Sequence, residues 1–341
     1  MLFKQCYTVS RLDIHSPQSL RISLDGPGAI SLLIRSPTEK ERENGAKTFN
    51  AQLDIIGEFV PSKKSLPVFT ALIEGRRPPK GKKALSGDEM ILREGPSEGL
   101  ESYPNPFVAF VDNVCGKLSA LGHAFVATLR WRYAQEGPPS PLRNFGLYCS
   151  NDGGDSWLPI PGRYSIQNVT PPHSVFMIQE ADVSELHRLL SEGIEEPAYH
   201  ELLREAKELE HTSPRSSVLL AVSAAEVAVK STVIATMPKT AWLVENLPSP
   251  PLVKILSEYF PVLFEKGESF YDSNNKEGLL KTMEAAVFLR NQMVHKGTAP
   301  PSRDKVREIL HGVQELLWIC DYYSGYEWAE KHIHQLRRTT I

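Results

Sequence analysis

Apolar residues keep two different periods along this chain, and the switch between them, near residues 185–196, constrains the fold more than any other feature. Upstream, the runs 20–24, 29–34, 49–60, 68–73 and 107–111 are short and rich in apolar and β-branched residues, and read as strands. The stretch 124–133 alternates through Phe125, Ala127, Leu129, Trp131 and Tyr133, as a half-buried strand does. Residues 76–104, rich in Gly, Pro, Lys and Glu, read as a loop. Downstream the spacing becomes three to four. Residues 198–210 suit an amphipathic helix, and Ser213-Pro214 offers an N-cap with Pro in the first turn to a helix reaching about Ala235. Shorter helical spacing follows Pro251 to near Leu263, and longer runs cover about 276–296 and 303–323. These periods predict an α+β chain of two domains, a β-rich sandwich or barrel over 1–185 and an all-α bundle over 196–341.

At 341 residues the chain is long enough for two cores. A net charge of −3 gives no general attraction to nucleic acid, although a local cluster of arginines can still serve one site. The four cysteines, Cys6, Cys115, Cys149 and Cys320, are scattered, which points to buried thiols instead of a disulfide frame or zinc ribbon. The opening Met-Leu-Phe-Lys-Gln-Cys-Tyr lacks the charged lead and apolar core of a secretory signal. No apolar run reaches the roughly 20 residues needed to span a bilayer. Cytoplasmic placement without a membrane partner is expected. No phosphate-binding glycine loop, serine nucleophile elbow or zinc-protease motif is present, and no cofactor or metal is expected. His332 and His334 lie on a helical tail, where their spacing suits solvated side chains better than a metal pair. Ser150 to Trp157 resembles the Asp-box hairpin of sialidase-like propellers, but it occurs once, which predicts a local turn and no sugar site.

The segment that carries chemistry is Phe288-Leu-Arg-Asn-Gln-Met-Val-His295-Lys-Gly297. At about 100° per residue, Asn291 and His295 fall within about 60° of a line through Leu280, while Met283, Val287 and Val294 share that side and Arg290 flanks it. The three polar groups are therefore expected on the buried face, where an unpaired polar group costs roughly 2–7 kcal/mol. Gly297 and Pro300-Pro301 end the helix just beyond His295. Glu226, on the most apolar helix, also needs a partner. Lys230, four residues later, is the ordinary one, and Arg290 across the bundle is the other.

Arg290-Asn291-x-x-x-His295 resembles the Arg-x4–6-His signature, with a polar residue after the Arg, of the HEPN superfamily of helical domains, over roughly residues 196–330. The resemblance implies a short helical bundle that dimerises. It also implies a metal-independent endoribonuclease of phage-defence or toxin–antitoxin systems, or else an inactive module that binds nucleotides or partners. On the enzymatic reading RNA is the substrate. His295 moves the proton, Arg290 neutralises phosphate charge, Asn291 orients the imidazole or donates to phosphate, and Glu226 supports Arg290. The β domain is then the sensor, targeting or inhibitory part, and an inhibitor or a sensor is an expected partner.

Overall fold

In the first sixty residues apolar side chains alternate, and alternate side chains go in. Phe3, Tyr7 and Val9 of β1 (Leu2–Val9), Leu20 and Ile22 of β3 (Ser19–Leu24), Leu32 and Ile34 of β4 (Ile30–Arg35), and Leu53 and Ile55 of β5 (Gln52–Glu58) are all buried. Their neighbours point the other way, as the two-residue period of a pleated strand requires. The computed structural model describes residues 1–15, 18–24, 29–38, 50–76, 78–79, 99–162, 175–178, 180–246, 251–263 and 273–338. Most of the expected loop at 76–104 lies outside them. Two units form, Met1–Glu195 and Glu196–Ile341.

The first unit is a six-stranded antiparallel sheet in the order β3-β4-β5-β1-β6-β7, where β6 is Leu142–Ser150 and β7 is Leu158–Pro159. Two short strands, β2 (Asp13–Ile14) and β8 (Val175–Phe176), pair in parallel. Neither a second sheet facing the first nor a closed barrel is formed by these strands, so the expected sandwich or barrel is replaced by one sheet backed by helices. The helices on its apolar face are α1 (Leu66–Ile73), α2 (Asn105–Arg132) and α3 (Glu180–Ser191). Phe3, Phe69 and Phe107 meet where β1, α1 and α2 converge, with ring centroids 5.5 Å and 4.8 Å apart.

Three expected strands are helix. Residues 68–73 belong to α1, and 107–111 and 124–133 are the two ends of α2. Over its 28 residues α2 buries Phe107, Val111, Val114, Leu118, Phe125 and Leu129 at helical spacing. Near its C-terminus it is buried on almost every side, with Val126, Thr128, Arg130 and Arg132 buried as well as Phe125 and Trp131. All-round burial removes the helical period, and a chance alternation is left in its place. The enclosed charges have partners. Arg132 pairs with Asp182 of α3, and Arg130 donates to the carbonyls of Ser10 and Pro138, both at 2.8 Å.

The Ser150–Trp157 segment is the turn between β6 and β7. Ser150 Oγ donates to Asp152 Oδ1 at 2.6 Å, and the backbone N–H groups of Gly154 and Ser156 donate to Ser150 Oγ and Asp152 Oδ1. Hydrogen bonds from the Ser150 and Ser156 hydroxyls hold the Asp152 carboxyl well below the usual carboxylate range. Lys4 lies over the Trp157 ring, 4.4 Å from its centroid. The motif is a structural turn of this sheet.

The second unit consists of helices. They are α4 (Ala198–Glu208), α5 (Pro214–Thr236), the short α6 (Ala241–Glu245) and α7 (Leu252–Lys254), a π turn over Ile255–Tyr259, α8 (Phe260–Leu263), α9 (Ser273–His295), α10 (Arg303–Tyr323) and α11 (Ala329–Arg338). Long and apolar, α5 satisfies the length and composition of a membrane span, contrary to the expectation that no run does. Within its unit it is the central helix, burying Val218, Val222, Ala225 and Val229 while packing on α4 and α10. Ser213 occupies its N-cap position, yet its hydroxyl bonds to Ser216 Oγ at 2.9 Å instead of a backbone N–H.

Gly137 has φ +148°, and a Cβ there would lie 2.3 Å from Arg130 Nη2. Gly137→Ala is expected to cost about 2–4 kcal/mol, through backbone strain and loss of the Arg130 hydrogen bonds. Urea unfolding measures it, and a loss under about 1 kcal/mol would show that Arg130 does not fix this turn.

Candidate functional site

The rotation of α9 decides which motif residues face the bundle. Leu279, Met283, Ala286 and Met293 are buried, whereas Phe288, Asn291, Val294 and His295 are exposed. The inward line is therefore turned by about 80° from the one expected through Leu280 and Val287. Gly312 of α10 contributes to this. A Cβ at Gly312 would lie 2.7 Å from Thr282 Cγ2 and 3.4 Å from Met283 Cε, so the glycine lets α9 approach with that face inward.

The motif is consequently split. Arg290 sits on the inward side, half-buried, while Asn291 and His295 stand on the outward stripe; the expectation that all three share the buried face is corrected. Arg290 Nη1 lies 3.8 Å from Glu226 Oε1 of α5 and 3.5 Å from Asn291 Oδ1. Of the two partners considered for Glu226, the guanidinium across the bundle is thus present. With side chains 30% and 16% exposed, the pair is neither free in water nor sealed from it.

His295 closes the last turn of α9. Gly297 follows with φ +63°, the left-handed conformation that ends a helix, and Arg215 Nη2 donates to the Thr298 carbonyl at 2.7 Å, tying the loop to the start of α5. His295 stands five positions beyond Arg290, about 7.5 Å along the axis.

Arg290, Asn291 and Glu226 line one side of an open groove of 590 Å³. Its other side comes from Leu252, Val253, Lys254, Ser257 and Glu258, the segment that enters the π turn. The volume falls within the roughly 300–1,000 Å³ of small-ligand sites. Lys254 Nζ and Glu258 Oε2 are 4.0 Å apart at the rim, both well exposed. His295 lies outside the groove. The site can therefore grip an anion through Arg290, while the His295 imidazole is accessible on the outer face of α9.

A second polar cluster went unnoticed in the sequence. Asp321 of α10 is fully buried and accepts from Tyr199 Oη at 2.5 Å, with His200 Nε2 2.7 Å from its other oxygen. His200 stacks on Trp318, which stacks on His332 at 4.7 Å. His332 is thus buried and not solvated as expected, whereas His334 is exposed beside Glu330. The signal was available: an acidic residue stands on the same helix face as Val313 and Leu317, and a buried carboxylate requires donors. Among the described residues no group of His, Cys, Asp or Glu has the geometry to hold a metal.

Comparison with protein-family models, curated proteins and solved structures finds no match.

Burial, with the adjacent Asp321 charge, pushes the Tyr199 phenol far above its ordinary value. Tyr199→Phe is expected to cost about 1–2 kcal/mol at neutral pH, because Asp321 loses a donor. A raised folded pKa stabilises in full below the unfolded value and is lost as pH rises past it. The gap between wild type and Tyr199→Phe should therefore narrow above about pH 10. Denaturant unfolding at several pH values tests this, and a gap constant to pH 11 would contradict it.

Proposed function

We propose that the Glu196–Ile341 unit is a HEPN-type endoribonuclease that cleaves RNA without metal and acts as a homodimer. The observation that carries this reading is the open groove edged by Arg290 and Asn291, with Arg290 steadied by Glu226, on the helix whose last turn presents an accessible His295. In the reaction, His295 accepts the proton of a ribose 2′-hydroxyl and the 2′-oxygen attacks the adjacent phosphorus. The bond to the leaving 5′-oxygen breaks, that oxygen takes a proton, and a 2′,3′-cyclic phosphate remains. Arg290 meets the phosphate oxygens with a planar fork, suited to charge that builds in the transition state.

Within one protomer Arg290 and His295 face different ways, so a second copy must complete the site. Phe288 and Val294, 61% and 53% exposed, flank Asn291 and His295 on the outward stripe and give two α9 helices an apolar contact. On this reading the protein works in the cytoplasm, in antiviral defence or as a toxin, with the sheet unit as sensor or as the seat of an inhibitor.

One observation favours a second reading, a non-catalytic interaction or nucleotide-binding module. Arg290 and Lys254 in the groove are matched by Glu226 and Glu258, so the described lining residues carry no net charge.

Purified protein is expected to cleave mixed RNA in the presence of EDTA, leaving cyclic or 3′-phosphate ends. Activity that EDTA abolishes and Mg²⁺ restores would exclude the mechanism. His295→Ala should lower turnover by about 10²–10⁴ with little change in melting temperature, and Arg290→Lys should be strongly impaired. A folded, fully active His295→Ala removes the catalytic assignment.

Phe288→Asp tests the dimer. The side chain is exposed, so the substitution should cost the fold less than about 0.5 kcal/mol while dissociating the dimer and abolishing cleavage. Light scattering and turnover on one preparation read both. A wild-type monomer at tens of micromolar, with or without RNA, would contradict the shared site.

A further inference from the structure

We propose that Glu226 and Glu258 make the groove selective for internal phosphodiesters and set it against terminal phosphates, an inference that rests on the ribonuclease reading of the same site. Both neighbours of the Arg290 guanidinium, Glu226 and Asn291, approach one nitrogen, Nη1. Among the described residues no partner is bound at the edge formed by Nε and Nη2, and that is the edge that takes two oxygens of one phosphate. Lys254 lines the same groove, and Val253 and Val287 supply apolar surface on which a ribose or base can rest.

The charges on the groove then discriminate between phosphates. Arg290 and Lys254 are the cations among its lining residues, and Glu226 and Glu258 are the anions. An internal phosphodiester brings one negative charge, which Arg290 and Lys254 meet. A terminal phosphate brings about −1.5 to −2 at neutral pH. Its additional charge finds no further cation among the described lining residues and is repelled by two carboxylates, one of them 3.8 Å from the guanidinium that must bind it. A groove containing only the two cations would reverse this preference. Glu226 therefore steadies Arg290 and also keeps it from capturing chain ends, free phosphate and mononucleotides. The substrate class that follows is the interior of an RNA chain, with cut ends released.

The test uses the 341-residue chain and a 2′-O-methyl dinucleoside monophosphate, which lacks the attacking hydroxyl, with and without a 5′-terminal phosphate. Calorimetric titration at about 0.1 M salt should show wild type binding the plain dinucleotide roughly five-fold more tightly than the 5′-phosphorylated one. Glu226→Gln should abolish or invert that ratio, and Arg290→Ala should weaken both ligands. Glu258→Gln, at an exposed side chain, should shift the ratio in the same direction and carries the test where Glu226→Gln does not fold. Equal or tighter binding of the 5′-phosphorylated form by wild type overturns the proposal. So does a ratio unchanged in a folded glutamine variant, or no binding of either dinucleotide. RNA cleavage on the same preparations separates the two ideas. Cleavage with an unchanged ratio removes the selectivity alone, and the predicted ratio without cleavage removes the ribonuclease reading alone.

Discussion

A buried carboxylate fixes the second unit. Asp321 carries a charge into the interior of a helical bundle, where it is tolerated only with donors in place, and Tyr199 and His200 of α4 supply them. That requirement sets the rotation of α10 against α4. With α10 so turned, Gly312 faces α9, and the close approach it permits brings Thr282 and Met283 inward. The rotation of α9 in turn sends Arg290 toward Glu226 and leaves Asn291 and His295 outside. The motif's geometry thus descends from an ion and its hydrogen bonds on a different pair of helices.

The parts legible in the sequence were those with one face buried. Strands β1, β3, β4 and β5 alternate because one side meets helices. Of these, the runs at 20–24, 29–34 and 49–60 were read correctly, and the limits of α4, α9 and α10 were close to expectation because caps and prolines mark them. The C-terminal end of α2 hides its period because a segment enclosed on all sides has no polar face to reveal it, whereas 107–111 is a run of five apolar residues with too few positions to show a helical period. The need of Glu226 for a partner was visible, because a lone carboxylate on an apolar helix always has one. The rotation of α9 was not. Leu280 and Val287 are as apolar as Leu279 and Met283, and the surfaces of the helices that α9 packs on, α10, α5 and α7, choose between them.

Splitting Arg290 from His295 has a functional logic on the dimeric reading. A protomer holding both groups around one phosphate would be competent alone. With the cation facing the bundle and the imidazole facing out, competence depends on the encounter of two chains, so activity varies steeply with concentration and with anything that covers the outer stripe of α9.

The composition of α5 bears on how the chain is made. Part of its apolar surface packs on α10 and α9, which lie some distance downstream, so α5 leaves the ribosome with α4 made but α9 and α10 still to come. During that interval a segment apolar enough to be mistaken for a bilayer span is exposed to chaperones, to targeting factors and to other nascent copies. The stable interior of the finished bundle is therefore also its most vulnerable moment in synthesis. A message truncated before residue 273 would release a chain whose central helix can never be covered by α9 and α10 of its own molecule.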